Sequence, residues 1–223
     1  AGLGDETFVA ALEICFRMHG CKNVGIRNTA AAALRQVISM LFEAAHHEYQ
    51  RAEAGGVTPE VLQRTAASGA DAEEALHALP SVFMAYQLLR DLCCLAVGDV
   101  AVWLPLEHLD LAFALELVEA ILASQPALLG RCAPFTELLR ERICPLMVQT
   151  LKGGGYTTVL RVLRCVVVVL ESYGGTLDTE GEMFATSITR MLSARSEPWL
   201  DAALLETVLQ LASSPTLMGR LCP

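Results

Sequence analysis

The sequence predicts an all-α fold of antiparallel helix pairs, on three observations. Apolar residues recur at three- and four-residue spacing in one segment after another, and no run alternates polar with apolar residues as a half-buried strand would. Glycines and prolines punctuate those segments at short intervals, so successive long helices joined by short loops should lie antiparallel. Hydrophobic residues make up 53% of the 223 and charged residues only 18%, a balance that suits helices covered on two sides by neighbours. A chain of this length buries a sizeable core without staples, as one large domain or two small ones.

The first helix is expected from about Asp5 to His19, with Phe8, Leu12, Cys15 and Phe16 inward and Gly20 as its stop. The next is centred on Ile26 to Phe42 and extends to about Arg51. Asn28 is its expected N-cap, and the alanine run that follows carries the highest helix propensity. Leu34, Val37, Ile38, Leu41, Phe42 and Ala45 then form one apolar face, with Arg35, Gln36, Ser39, Glu43 and His46 opposite. Beyond it the composition changes. Gly55-Gly56, Thr58-Pro59 and Ser68-Gly69 leave few large apolar anchors, so residues 53–79 read as a linker, in which Thr58 and Pro59 are suited to start a short helix. This divides the chain into residues 1–52, a linker, and a helical region of residues 80–223.

The second region opens with a helix from about Ser81 to Val97, stopped by Gly98 and followed by a turn holding Trp103. Pro105 is expected in the first turn of a helix running to about Ala123, apolar on nearly every side except at Glu116 and Glu119. Pro126 breaks it and Pro134 opens another. Pro145 falls inside that helix, where a missing N–H and a ring clash predict a kink or break near Glu141. Gly153-Gly154-Gly155 precedes a helix from Tyr156 to Tyr173 with a narrow polar stripe of Arg161, Arg164 and Glu171. After Gly174-Gly175, Thr179 and Glu182 form an expected capping box for a helix bearing Met183, Phe184, Ser187, Ile188, Met191 and Leu192. Ser196 and Pro198 start the last long helix, with Trp199, Leu200, Leu204, Val208 and Leu211 inward. Paired helices of this length suit an armadillo- or HEAT-like right-handed solenoid. A compact bundle is the competing architecture, and double-sided burial favours the stack.

Composition and motifs exclude several functions. A formal net charge of −9 argues against a nucleic-acid binder and against adhesion of the whole domain to anionic lipid. Residues 135–164 reverse the sign locally, with Arg140, Arg142, Lys152, Arg161 and Arg164 against Glu137 and Glu141; a solvated ridge is the plainer reading. Val159 to Leu170 is too short to span a bilayer and is interrupted by Arg161 and Arg164, so it reads as a buried helix. No signal-peptide pattern precedes the first helix, and the chain begins at Ala-Gly without an initiator Met. It reads as an excised, cytosolic-side domain. The eight cysteines show no paired C-x-x-C spacing and read as reduced core residues.

No cofactor or catalytic set is expected. Lys152 precedes the triple glycine instead of following it, which breaks the order a phosphate loop needs. Glu43 with His46 or His47 has helical ligand spacing but too few ligands for a metal. Cys93, Cys94 and Cys144 lack a sequence-local histidine to activate a thiolate. Glu73-Glu74 and the Glu116, Glu119 pair read as helix-surface charges. Trp103 and Trp199, near expected helix starts, are candidate interface anchors, although packing over a helix end is the commoner use.

The run N-T-A-A-A-A-L-R-Q-V at Asn28 to Val37, continuing to M-L-F-E at Met40 to Glu43, resembles the end of the dimerisation and cyclophilin-binding (DCB) region of the large Arf exchange factors and their Mon-two relatives. L-L-R-D-L-C-C-L at Leu88 to Leu95 with Val102-Trp103-Leu104, and L-L-R-E-R-I-C-P-L at Leu138 to Leu146, are similar to the opening and middle of that family's homology-upstream (HUS) region. Pro198-Trp199 with A-A-L-L-E-T-V-L-Q-L resembles its last matched helices. Asn28, Arg35, Gln36, Asp91, Arg140 and Arg142 match the family at polar positions, in structural roles or in partner contact. The resemblance implies a stacked helical fold and a non-catalytic regulatory scaffold in Golgi-to-endosome vesicle trafficking. It further implies peripheral association, through partners, with the cytosolic face of the trans-Golgi network and endosomes. The partners implied are Arf/Arl-type small GTPases, trafficking proteins and a second copy of the chain. The alternatives are the regulatory region of a true Arf exchange factor and an unrelated all-α enzyme or ligand-binding protein. No exchange domain and no asparagine-aromatic-aspartate-cysteine box of the HUS type is found here.

Overall fold

In a computed structural model, which describes residues 5–55, 76–194, 197–215 and 217, the secondary structure of the described residues is helical throughout. The chain divides into two compact units, Ala1–Asp110 with Cys132–Pro134, and Leu111–Arg131 with Phe135–Pro223.

The first unit contains α1 (Asp5–His19), α2 (Val24–Ala54) and α3 (Pro80–Val97). Helix α2 is its centre and packs against both α1 and α3. The apolar face read from the sequence is the one buried: Leu34, Ile38, Leu41, Phe42 and Ala45 lie inside, with Leu12 and Phe16 of α1. The cap is not where the sequence suggested. Helix α2 begins at Val24, and Asn23 accepts N–H bonds from Gly25 (2.9 Å) and Ile26 (3.2 Å) through its side-chain oxygen. Asn28 therefore stands inside the helix, exposed. A cap placed five residues earlier satisfies the free N–H groups first, and Val24 to Arg27 are then carried into the helix. Residues 56–75, where the short helix at Thr58-Pro59 was expected, lie outside the described residues.

A further expectation fails at Pro105. No helix starts there; residues 98–110 form an irregular loop, and the next helix, α4, is Leu111–Ser124. The N–H groups of Trp103 and Leu104 are bound by the Asp91 carboxylate, and that of Leu106 by the Leu104 carbonyl (2.8 Å). This tertiary bonding outcompetes the local proline signal.

The second unit contains α4, α5 (Pro126–Arg131), α6 (Ala133–Leu138) from Phe135 onward, a π turn over Leu139–Ile143, α7 (Cys144–Gly153), α8 (Tyr156–Tyr173), α9 (Asp178–Ser193) and α10 (Pro198–Ser213). Helix α8 is its hub, packed against α4, α5, α7 and α10. The burial expected of its valine-rich run is present, with Val159, Val162, Leu163, Cys165, Val166, Val167 and Val169 inside. The break expected near Glu141 takes the form of the π turn. The N–H of Cys144 reaches the Leu139 carbonyl, and the widened turn absorbs the bond that Pro145 cannot make. Gly154 is a sterically required glycine, since a Cβ there would lie 2.6 Å from the Thr150 carbonyl oxygen. The capping box at Thr179 and Glu182 does not form: the cap position falls two residues earlier, on buried Leu177, and has no side-chain bond. Val208, expected inward on α10, is 40% exposed.

Candidate interaction surface

The polar residues singled out by the sequence divide into buried fasteners and exposed positions. Asp91 is fully buried (0% exposed) on α3 and accepts the backbone N–H groups of Trp103 (2.6 Å) and Leu104 (2.7 Å) through Oδ2. Its Oδ1 lies 3.5 Å from Nε of Arg90. A buried carboxylate needs such partners, because desolvating it alone is costly. Asp91 and Trp103 are thus brought together, with the Trp103 backbone as the fastened part and its ring half-buried.

Arg35 and Gln36 lie exposed on α2, and Arg142 is exposed on the π turn. Arg140, on the same turn, donates through Nη2 to the Thr176 carbonyl, and its Nε is 3.8 Å from Glu180. Trp199 is half-buried in the first turn of α10, edge-on to Tyr156 at 5.0 Å between ring centroids and 72° between planes. Its Nε1–H donates to Glu197. The locally basic section is partly neutralised by residues outside it. Arg161 bridges Glu116 (3.3 Å) and Glu119 (2.9 Å) of α4, while Arg140, Arg142, Lys152 and Arg164 are exposed.

Two fasteners escaped the sequence reading. Glu48 of α2 accepts the N–H groups of Ser81 (2.7 Å) and Val82 (3.1 Å) at the start of α3, a helix whose own N-cap Leu79 supplies no side-chain bond. Its negative charge also suits the positive end of the α3 dipole. No local pattern marks a carboxylate that caps a helix 33 residues away. In the second unit, the Tyr173 hydroxyl donates to the Leu122 carbonyl at 2.7 Å, and burial pushes its pKa well above the usual value.

The buried thiols are poor nucleophiles. Cys144 is pushed up to about 12, first by burial and then by Glu180, against a lowering by Arg140. Cys165 is likewise pushed up to about 12, by burial and Glu119 against Arg161. At neutral pH such a thiol is ionised to the order of one part in 100,000, too little to attack or to bind a metal readily. The candidate ligands Glu43 and His46 bond within their own helix, to Ser39 (3.0 Å) and Gln50 (2.8 Å).

Comparison with known families gives this arrangement a frame. The model of the Mon2/Sec7/BIG1-like HUS domain matches residues 81–222, and that of the Mon2/Sec7/BIG1-like dimerisation and cyclophilin-binding domain matches residues 2–49. The chain belongs to the Mon2/Sec7/BIG1-like family. Among its relatives are the MON2 homologues of Xenopus laevis and Homo sapiens, each 30% identical over 239 residues covering 98% of this chain. The Drosophila melanogaster MON2 homologue is 30% identical over 242 residues. The chain spans 14% of the length of each of these relatives. No solved structure matches it. In family terms the Glu48 bond gains meaning: Glu48 lies in the DCB match, and Ser81 is the first residue of the HUS match. One carboxylate joins the two regions across the connection between them.

Proposed function

We propose that this chain is a non-catalytic regulatory and scaffolding module of Golgi-to-endosome vesicle trafficking, acting through protein contacts. The observation that carries the reading is the pairing of DCB and HUS matches, in order, across nearly the whole chain. The proposed partners are Arf/Arl-type small GTPases, other trafficking proteins and a second copy of the chain. The dimerisation in the DCB domain's name supports self-association. Arg35, Gln36, Arg142 and Trp199 are exposed or half-exposed positions proposed for partner contact, and Asp91 and Arg140 bond within the fold. Buried thiols with raised pKa values favour a module without its own chemistry. The proposed location is the cytosolic face of the trans-Golgi network and endosomes, reached through partners. The antiparallel pairs are proposed to continue as an armadillo- or HEAT-like solenoid, as a hub helix covered on several sides favours.

The test is a pulldown of this chain, and of a longer version, against GTP- and GDP-loaded Arf-family proteins. Binding that depends on the nucleotide is expected, and none with either version would remove GTPases from the proposal. The family also contains exchange factors, for which the same module would regulate an exchange domain elsewhere in the polypeptide. The full-length sequence decides between the two.

A further inference from the structure

The loop of residues 98–110 joins two features that rarely occur together, exposed apolar side chains and a rigid base. Val100 is 84% exposed and Val102 79%, the two most exposed large hydrophobic residues described. At one end, Gly98 in the left-handed conformation (φ 84°) closes α3, with the Gly98 and Asp99 N–H groups on the Leu95 and Cys94 carbonyls at 3.2 and 2.9 Å. At the other, fully buried Asp91 holds Trp103 and Leu104. The valines are therefore presented on an anchored segment, which lowers the ordering cost of binding.

The charge pattern selects the occupant. From residue 91 to residue 130 the chain has no Lys or Arg, while Asp99, Glu107 and Asp110 are exposed on the loop itself. An anionic membrane surface would repel this segment, and a second copy meeting it loop to loop would bring like charges together. We infer that the 98–110 loop docks into an apolar pocket rimmed by Lys and Arg on a protein partner, with Val100 and Val102 as the inserted groups. This rests on the chain being a protein-contact module but not on that partner being a GTPase.

The experiment replaces Val102 with a photo-crosslinking phenylalanine derivative in the chain expressed in cells. The cross-linked peptide is sequenced and the captured protein purified. The expected adduct maps to a protein pocket with apolar lining and a basic rim. Val100→Ser/Val102→Ser should then weaken binding by the purified partner at least about tenfold. Asp99→Asn/Glu107→Gln should weaken it a few-fold and flatten its salt dependence. Unchanged circular dichroism excludes misfolding, which the exposure of all four positions favours. An adduct on the same chain, a lipid adduct with co-sedimentation on phosphatidylserine vesicles, a captured site without cations, or no adduct would each overturn the inference. A failed GTPase pulldown beside the expected adduct would sink only the GTPase part, and a nucleotide-dependent complex without the adduct would sink only the loop.

Discussion

The two units fasten their helices by different chemistry. In the first, single carboxylates reach across to backbone N–H groups: Glu48 caps α3, and Asp91 holds the loop at Trp103 and Leu104. In the second, apolar packing around α8 dominates, assisted by the Tyr173 hydroxyl and by the partly exposed Arg161 pairs. Losing a buried carboxylate strands N–H groups away from water, whereas the Arg161 guanidinium is shared between two glutamates and keeps a partner when one of them is lost. The first unit should therefore be brittle at a few positions, and the second should depend on the neutrality of what it buries.

The largest effect should come from alkali acting on the second unit. Cys144 and Cys165 both lie there, and each is raised from 9.0 to about 12 in the folded chain. Below the unfolded value the thiols are neutral in both states and the stabilisation is complete. Above it the unfolded chain loses protons that the folded chain keeps, so stability falls as pH rises from 9 towards 12. The slope is about 1.4 kcal/mol per pH unit for each thiol. Urea unfolding across this range checks it, and Cys144→Ala/Cys165→Ala should flatten the profile between pH 9 and 10, above which the raised Tyr173 hydroxyl adds a slope of its own. A wild-type slope between pH 9 and 10 that survives both substitutions would show that the thiols are not its cause.

Next in size is Asp91→Ala, which leaves two N–H groups unbonded and should cost about 3 kcal/mol. Amide exchange should speed at Trp103 and Leu104 while the amides of α8 stay protected; uniform loss of protection would contradict local fastening. Glu48→Ala should cost about 1.5 kcal/mol, through the loss of a cap. Exchange at Ser81 and Val82 reads it, and unchanged rates at both would contradict capping of α3 by Glu48. The smallest effect is expected from Tyr173→Phe, about 1 kcal/mol for one buried hydrogen bond. A urea midpoint shift larger than that of Asp91→Ala would reverse the ranking of the two units.

Helix periodicity was legible where one face is apolar, and the errors cluster where a polar group from elsewhere intervenes. Leu34, Ile38, Leu41 and Phe42 are buried as their spacing implied, because the pattern that makes a helix amphipathic also decides which side water leaves. Pro145 announced a break, and its form as a π turn needed the structure. Asn28 competed with a nearer cap at Asn23, a choice between two plausible local signals. The helix expected at Pro105 was lost to a carboxylate on the preceding helix, and nothing near Pro105 in the chain records that. The candidate surface was less legible than the fold. Asp91 and Arg140 were read as polar family positions in structural roles or in partner contact, and the structure shows their side chains bonded within the fold, while Val102 drew notice only as part of a block and Val100 not at all.

By itself the sequence determined that the chain is helical, which face of α2 is buried, and the family to which its ordered blocks belong. These follow from spacing within a few turns of helix and from residue identity. Only the tertiary structure decided which charged groups are occupied holding the fold and which face water. Those bonds join residues such as Glu48 and Ser81, 33 positions apart, and no short-range pattern specifies a partner at that distance.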